Sequence, residues 1–239
     1  MKKLVVITGA SSGIGEAIAR KFSADGYPTL LLARRIDQMQ QFDLPNSLCS
    51  EVDVTNINSF KAAIAAAEKK FGPVDCLVNN AGVMLLGDPS AQNPLEWKTM
   101  IDVNITGLLN GIHLVLKDMI SRQTGTIINI GSVAGRKALP DHAVYCGTKF
   151  AVHAISEAVR METAKYNVRS ITIAPGATES ELVSHVTSDA IKDGYKGWAD
   201  SIGGPIKAED VANAVHFAYI QPQNVCIREI VLAPTKQEP

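Results

Sequence analysis

Leu4, Val5, Val6 and Ile7 follow one another with no polar position between them. A strand with one wet face alternates apolar and polar residues, whereas an unbroken β-branched run marks a strand covered on both faces. The run ends at Thr8-Gly9, and Glu16–Phe22 then reads as a helix. Short apolar runs and longer helical stretches continue in turn along the chain. They predict strands at 4–8, 28–33, 48–52, 74–78, 125–131, 168–174 and 226–232. Helices are predicted near 13–25, 57–71, 94–121, 143–166 and 208–219. Residues 61–70, Lys-Ala-Ala-Ile-Ala-Ala-Ala-Glu-Lys-Lys, have high helix propensity, and Asp210 opens the last helix after Pro205. Such alternation predicts right-handed crossovers and a doubly wound α/β domain with a parallel sheet of about seven strands. Ligands then bind beyond the carboxyl ends of the strands.

One segment breaks the rhythm. Residues 177–204 have few regular apolar positions, with a short helix expected near 179–193. A stretch this long without periodicity reads as a lid or binding loop. No linker divides the rest, so residues 1–239 are expected to form one domain. A hydrophobic content of 46% and a net charge of −1 exclude a disordered chain or a nucleic-acid surface. The five histidines (113, 142, 153, 185 and 216) are scattered without metal-ligand spacing. Cysteines 49, 76, 146 and 226 form no C-x-x-C pair, which suits reduced thiols in the cytoplasm. The first apolar run is too short for a secretory leader, and no run reads as long enough to span a membrane.

The chemistry begins after the first strand, at Thr8-Gly9-Ala10-Ser11-Ser12-Gly13-Ile14-Gly15. Strand, glycine-rich turn and helix make a phosphate site: the turn lets a ligand approach the backbone, and the helix N-terminus offers N–H groups to a pyrophosphate. The absence of a G-K-[ST] ending argues against a kinase or ATPase. The second strand ends Leu32-Ala33-Arg34-Arg35. An NAD site places an acid there to bind the ribose 2′-hydroxyl. Ala33 brings none, and the guanidinium groups of Arg34 and Arg35 suit a 2′-phosphate, so NADP(H) is the expected cofactor. Further on, Tyr145 and Lys149 are four residues apart, on one face of a helix. A lysine so placed stabilises a phenolate and lowers the tyrosine pKa. Taken alone, that spacing more commonly marks a half-buried tyrosine beside a solvated lysine.

Together with Asp53-Val54, Asn79-Asn80-Ala81-Gly82, Asn104, Ser132 and Pro175-Gly176, these motifs resemble the short-chain dehydrogenase/reductase family over nearly the whole chain. The resemblance implies a Rossmann fold and hydride transfer between nicotinamide and a carbonyl or secondary alcohol. Tyr145 is then the proton donor or acceptor, and Ser132 holds the substrate oxygen. Lys149 binds the nicotinamide ribose, and Asn104 holds a water that links Lys149 to solvent. Gly9, Ser11, Ser12, Gly13, Ile14 and Gly15 form the pyrophosphate turn. Asp53 and Val54 contact the adenine, while Asn80, Ala81 and Gly82 line its ribose and the cleft floor. Pro175, Gly176 and Thr178 pass the nicotinamide. Ser180 stands where the family pattern carries a threonine, which leaves that loop contact open. Asn79 reads as a tie between strands and Cys146 as a packing residue. Val83, Met84, Leu85, Ala134, Leu139, His142 and the 177–204 segment are the expected substrate pocket, with His142 read as an exposed loop residue.

The resemblance also implies a homodimer or homotetramer paired through the helices of Asn104 and Tyr145. Within the family the chain looks close to an NADPH-binding blue fluorescent member. The competing expectation is therefore a protein that retains NADPH and enhances its emission, with little turnover. A methyltransferase would fit the glycine turn alone and leave Arg34, Arg35, Tyr145 and Lys149 unexplained.

Overall fold

The computed structural model describes residues 2–238. In chain order the elements are β1 (Leu4–Thr8), α1 (Gly13–Ala24), β2 (Thr29–Ala33), α2 (Ile36–Gln40), β3 (Ser47–Glu51), α3 (Ile57–Phe71) and β4 (Val74–Asn79). There follow α4 (Pro94–Ile101), a π-helical turn (Asp102–Gly107), α5 (Leu108–Arg122), β5 (Gly125–Ile130) and α6 (Ala143–Thr163). The chain ends with β6 (Val168–Pro175), α7 (Asp189–Ser201), α8 (Ala208–Tyr219) and β7 (Glu229–Leu232). The seven strands form one sheet in the order β3-β2-β1-β4-β5-β6-β7, and every pairing is parallel.

Side chains of successive strand residues point to opposite faces, and both faces are covered. Val5, Ile7, Leu31, Val78, Ile128 and Ile171 meet Ile18 and Phe22 of α1 and Val211 and Val215 of α8. On the other face Leu4, Val6, Leu30, Leu77 and Ile127 meet Phe60 of α3, Ile112 and Val115 of α5 and Val152 of α6. Each fully buried large aliphatic side chain contributes about 1.5–3 kcal/mol. The unbroken apolar strands thus follow from a sheet with no wet face.

The buried asparagines of the central strands are paired. Asn79 donates to Asn129 Oδ1 (2.9 Å), and Asn129 donates to Ser156 Oγ (2.9 Å), so Asn79 ties strands as expected. At the opposite end, Arg169 is buried. It donates to Thr126 Oγ1 and to the carbonyls of Tyr219, Gln221 and Val225. Beside it, the Tyr219 hydroxyl donates to Asp75 (2.8 Å).

Four details differ from the periodicity. The short α2 gives too few turns for a helical period to show. The expected helix near 179–193 is instead a 3₁₀ turn at Glu181–His185 followed by α7, because Ser188 caps the later start through its hydroxyl. The last strand begins at Glu229, not 226, since only Glu229–Leu232 pair with β6. The stretch 94–121 is interrupted by the π turn. Contrary to expectation, the continuous helix Pro94–Arg122 is long and apolar enough to cross a membrane by length and composition alone. In the fold its α5 segment lies against the sheet, with Ile112, Val115 and Met119 buried.

Candidate active site

The carboxyl ends of β1 and β4 are locked together. Thr8 Oγ1 accepts from the amides of Asn80 and Ala81 (3.0 Å each). Asn80 Nδ2 donates back to the carbonyls of Thr8 and Gly9. Between them runs the glycine turn. Gly9 has φ +64°, and a Cβ there would stand 2.8 Å from Ala81 Cα. A Cβ on Gly15 would overlap the Gly9 carbonyl, so this glycine serves close packing and does not line the cleft. Ser12 begins α1 in extended conformation without capping it through its side chain. The Ser12 hydroxyl reaches outward instead, donating to Glu181 (2.9 Å).

Arg35 comes to the same point from the end of β2. Its Nη2 donates to Ser11 Oγ (3.1 Å), Ser12 Oγ (2.9 Å) and Glu181 Oε2 (2.6 Å). One hydroxyl and a guanidinium therefore converge on the carboxylate of Glu181, while Ser11 Oγ accepts from the same guanidinium. Arg35 and Ser12 hold the Glu181 carboxyl below its ordinary pKa. Arg34 is exposed nearby. Asp53 accepts from the Thr55 amide and hydroxyl (2.9 and 2.7 Å). Burial opposes its ionisation, but these bonds and the Arg34 charge bring its pKa down. The donor set at Ser11, Ser12 and Arg35, beside a glycine cradle a Cβ would fill, fits a dinucleotide bearing a 2′-phosphate.

The second group converges at the ends of β5 and α6. Tyr145 and Lys149 are 5% and 7% exposed, which decides their protonation. Burial raises the Tyr145 pKa, and a hydrogen bond with Ser132 only partly offsets it. Lys149 is pushed down to about 8 by burial. Its Nζ donates to the Ile130 carbonyl (2.9 Å) and lies 5.8 Å from the Tyr145 ring centroid. The expectation that Lys149 lowers the tyrosine pKa is thus corrected for the chain on its own: burial raises it, and the group that pulls it down is Ser132. Asn104 is buried at the π turn and does not line the cleft. Its amide bridges Val83, accepting from the N–H and donating to the C=O (2.9 Å each), and donates to Thr148 Oγ1 (3.0 Å).

A single cleft of about 1070 Å³ joins the two groups, at the top of the ~300–1,000 Å³ usual for ligand sites. Gly9, Ser11, Ser12, Gly13, Ile14, Arg34, Arg35, Asp53, Val54, Asn80, Ala81 and Gly82 line one part. Ser132, Tyr145, Lys149, Pro175, Gly176 and Thr178 line the rest. Of the expected substrate pocket, Val83, Met84, Ala134, Leu139 and His142 are present. Leu86 lines it in place of Leu85. His142 is half-buried with its ring 6.4 Å from that of Tyr145, so the exposed-loop reading is corrected. Cys146 packs among Met84, Leu86 and Met100, as expected.

Sequence reasoning missed Glu181, Tyr195, Trp198 and the C-terminal tail. Gln237 Oε1 accepts from the Ala177 amide (2.9 Å), clasping the start of the 177–204 segment. Neither Glu181 nor Gln237 has a motif around it. The Tyr195 and Trp198 rings pack at 5.3 Å, tilted by 58°, on α7, and their three-residue spacing was the one signal that could have placed them on the cleft side of a helix.

The family model described as short chain dehydrogenase matches residues 3–191. An uncharacterised oxidoreductase of Staphylococcus saprophyticus is 39% identical, over 98% of this chain and 97% of that protein. Serine 3-dehydrogenase of Rhizobium radiobacter is 35% identical over 99% and 96% respectively. Among solved structures, the closed form of a serine dehydrogenase complexed with NADP+ superposes with a TM-score of 0.92 at 30% identity, covering 99% of this chain and 96% of that one.

Proposed function

The chain belongs to the short-chain dehydrogenase/reductase family, and from that premise we propose that it is an NADP(H)-dependent oxidoreductase interconverting a carbonyl and a secondary alcohol. One observation carries the reading. Ser132, Tyr145 and Lys149 share a cleft with the Ser11, Ser12 and Arg35 anion site. Arg35, with Arg34 beside it, would hold the 2′-phosphate, and the turn from Gly9 to Gly13 the pyrophosphate. Asp53 and Val54 would flank the adenine, and Lys149 would hold the nicotinamide ribose. When bound, the nicotinamide supplies or accepts the hydride.

The protein's own residues handle the proton. Ser132 and Tyr145 would both bond the substrate oxygen, the serine fixing it and the tyrosine exchanging its proton. The raised Tyr145 pKa keeps the phenol protonated at neutral pH, the form that carbonyl reduction requires. Lys149, pushed down to about 8, is still largely cationic at pH 7 and stabilises charge that develops on the phenol oxygen. Asn104 would connect Lys149 to solvent, as the family resemblance implies. Met84, Leu86, Leu139 and Trp198 give the substrate end apolar walls, and residues 177–204 would close over it. The serine dehydrogenase relatives make small hydroxy acids the first substrates to try. Exposed Leu109, Phe150 and Met161 on α5 and α6 support pairing of copies through these helices. Four free cysteines fit a reducing, cytoplasmic compartment.

Titration with NADPH and NADH, followed by nicotinamide fluorescence, tests the reading. NADPH should bind far more tightly, and a carbonyl panel should then show turnover. Binding of neither nucleotide would refute it. The same titration reports any enhanced blue emission, a reading that gains no support from relatives named as oxidoreductases.

A further inference from the structure

His153 lies one helical turn beyond Lys149 on α6 and is absent from the cleft wall. Its ring is wedged between two glycines that flank Ser132. A Cβ on Gly131 would overlap Nε2, and one on Gly135 would stand 2.7 Å from it. The ring has a partner at Nε2 and a carboxylate beside Nδ1. Nε2 accepts from the Ser132 amide at 3.4 Å. Nδ1 faces Glu229 Oε1 of β7 at 3.3 Å. That oxygen is buried and has no aligned hydrogen bond of its own. Glu229 Oε2 is paired with Arg136, just beyond the 3₁₀ turn Val133–Gly135 that follows Ser132. The short Ser132 segment is thus contacted at its start by the histidine and at its end by the arginine, and both face one carboxylate.

Which nitrogen carries the proton follows from these partners. Only a neutral ring protonated at Nδ1 can accept from the Ser132 N–H, and a carboxylate facing Nδ1 selects that tautomer. Burial lowers the His153 pKa, with the charges of Lys149 and Arg136 acting in the same direction and Glu229 against them.

We infer that His153, held in one tautomer by Glu229, is a positioning residue that sets the Ser132 hydroxyl against Tyr145. This rests on the oxidoreductase reading above. The histidine touches neither substrate nor cofactor and acts only through the serine.

The test compares His153→Leu, which has no acceptor, with His153→Gln, whose amide oxygen can replace Nε2, each in wild-type and Ser132→Ala backgrounds. In His153→Leu, kcat should fall about tenfold or more, since small misplacements are costly in catalysis, while NADPH affinity is unchanged. His153→Gln should recover part of the loss, and neither change should matter once the serine hydroxyl is gone. An equal loss with and without that hydroxyl, or no loss at all, would overturn the inference. Hydrogen exchange at the Ser132 amide gives a readout independent of substrate. It should quicken in His153→Leu and in the milder Glu229→Gln while residues 9–15 stay as protected as before. Failure of wild-type protein to bind NADPH would sink the oxidoreductase reading. Unchanged Ser132 exchange would sink this one, whatever the first result.

Discussion

Tyr145 keeps its proton because burial disfavours the phenolate, and this makes it separable from the cofactor site. Tyr145→Phe should lower turnover by about 10²-fold or more, the scale of a lost general acid. NADPH affinity measured by fluorescence should stay within a factor of about three, the ring being kept and only one hydroxyl lost. Lys149 is the opposite case, a buried cation on a depressed pKa. Below pH 8 the folded and unfolded chains both hold its proton, and the desolvation cost is constant. Between about 8 and 10.5 the folded chain has released the proton and the unfolded chain has not, so stability rises with pH by up to about 3 kcal/mol. Lys149→Met should therefore unfold later than wild type at pH 7, by about 2 kcal/mol after the lost bond to Ile130 O is discounted. The gain should fade as pH approaches 10.5 in denaturant titrations, and activity should be lost throughout. Tyr145 and Lys149 were legible as a spacing, but which of their pKa values moved, and which way, depended on burial that spacing does not carry. Gln237 was illegible for another reason: 60 residues separate it from Ala177.

At the scale of elements, the 177–204 segment reaches the anion site through Glu181. Glu181, at the start of the 3₁₀ turn after β6, holds Arg35 and Ser12, the donors proposed for the 2′-phosphate. Glu181→Gln should tighten NADPH binding several-fold by freeing those donors, the scale of one exposed charge contact of about 1 kcal/mol, and leave NADH unmoved. Arg35→Ala should weaken NADPH about tenfold or more, with NADH again unmoved, as the loss of a charge-assisted phosphate contact requires. Both are read in the same nucleotide titration. The buried strands were legible because a sheet covered on both faces leaves a continuous apolar run. Residues 177–204 were recognisable as an irregular stretch, yet their helix was expected too early. Its start is set by the Ser188 cap and the preceding 3₁₀ turn rather than by an apolar stripe.

Across the whole molecule the two ends of the parallel sheet have separate tasks. The carboxyl ends carry the cleft, while the amino ends carry the buried Arg169, which ties β5 and β6 to the chain after α8. Arg169→Met should leave Thr126 and several carbonyls without their donor and cost about 3 kcal/mol or more. The midpoint of denaturation should drop while NADPH affinity in the folded protein is unchanged. No periodicity announces such a residue, because a lone arginine in an apolar strand reads as an edge or an error until its partners are seen. The π turn at Asp102–Gly107 has a consequence of another kind. Its extra residue lets Met100 face the Tyr145 cluster while Leu108 and Ile112 face the sheet. Deleting one residue there would turn α4 by roughly 100° against α5, and one of those two faces would swing into water. Single-residue insertions and deletions should therefore be far less tolerated here than in the loop at 87–92, and an alignment that opens a gap in this turn would assign the wrong side chains to the cleft.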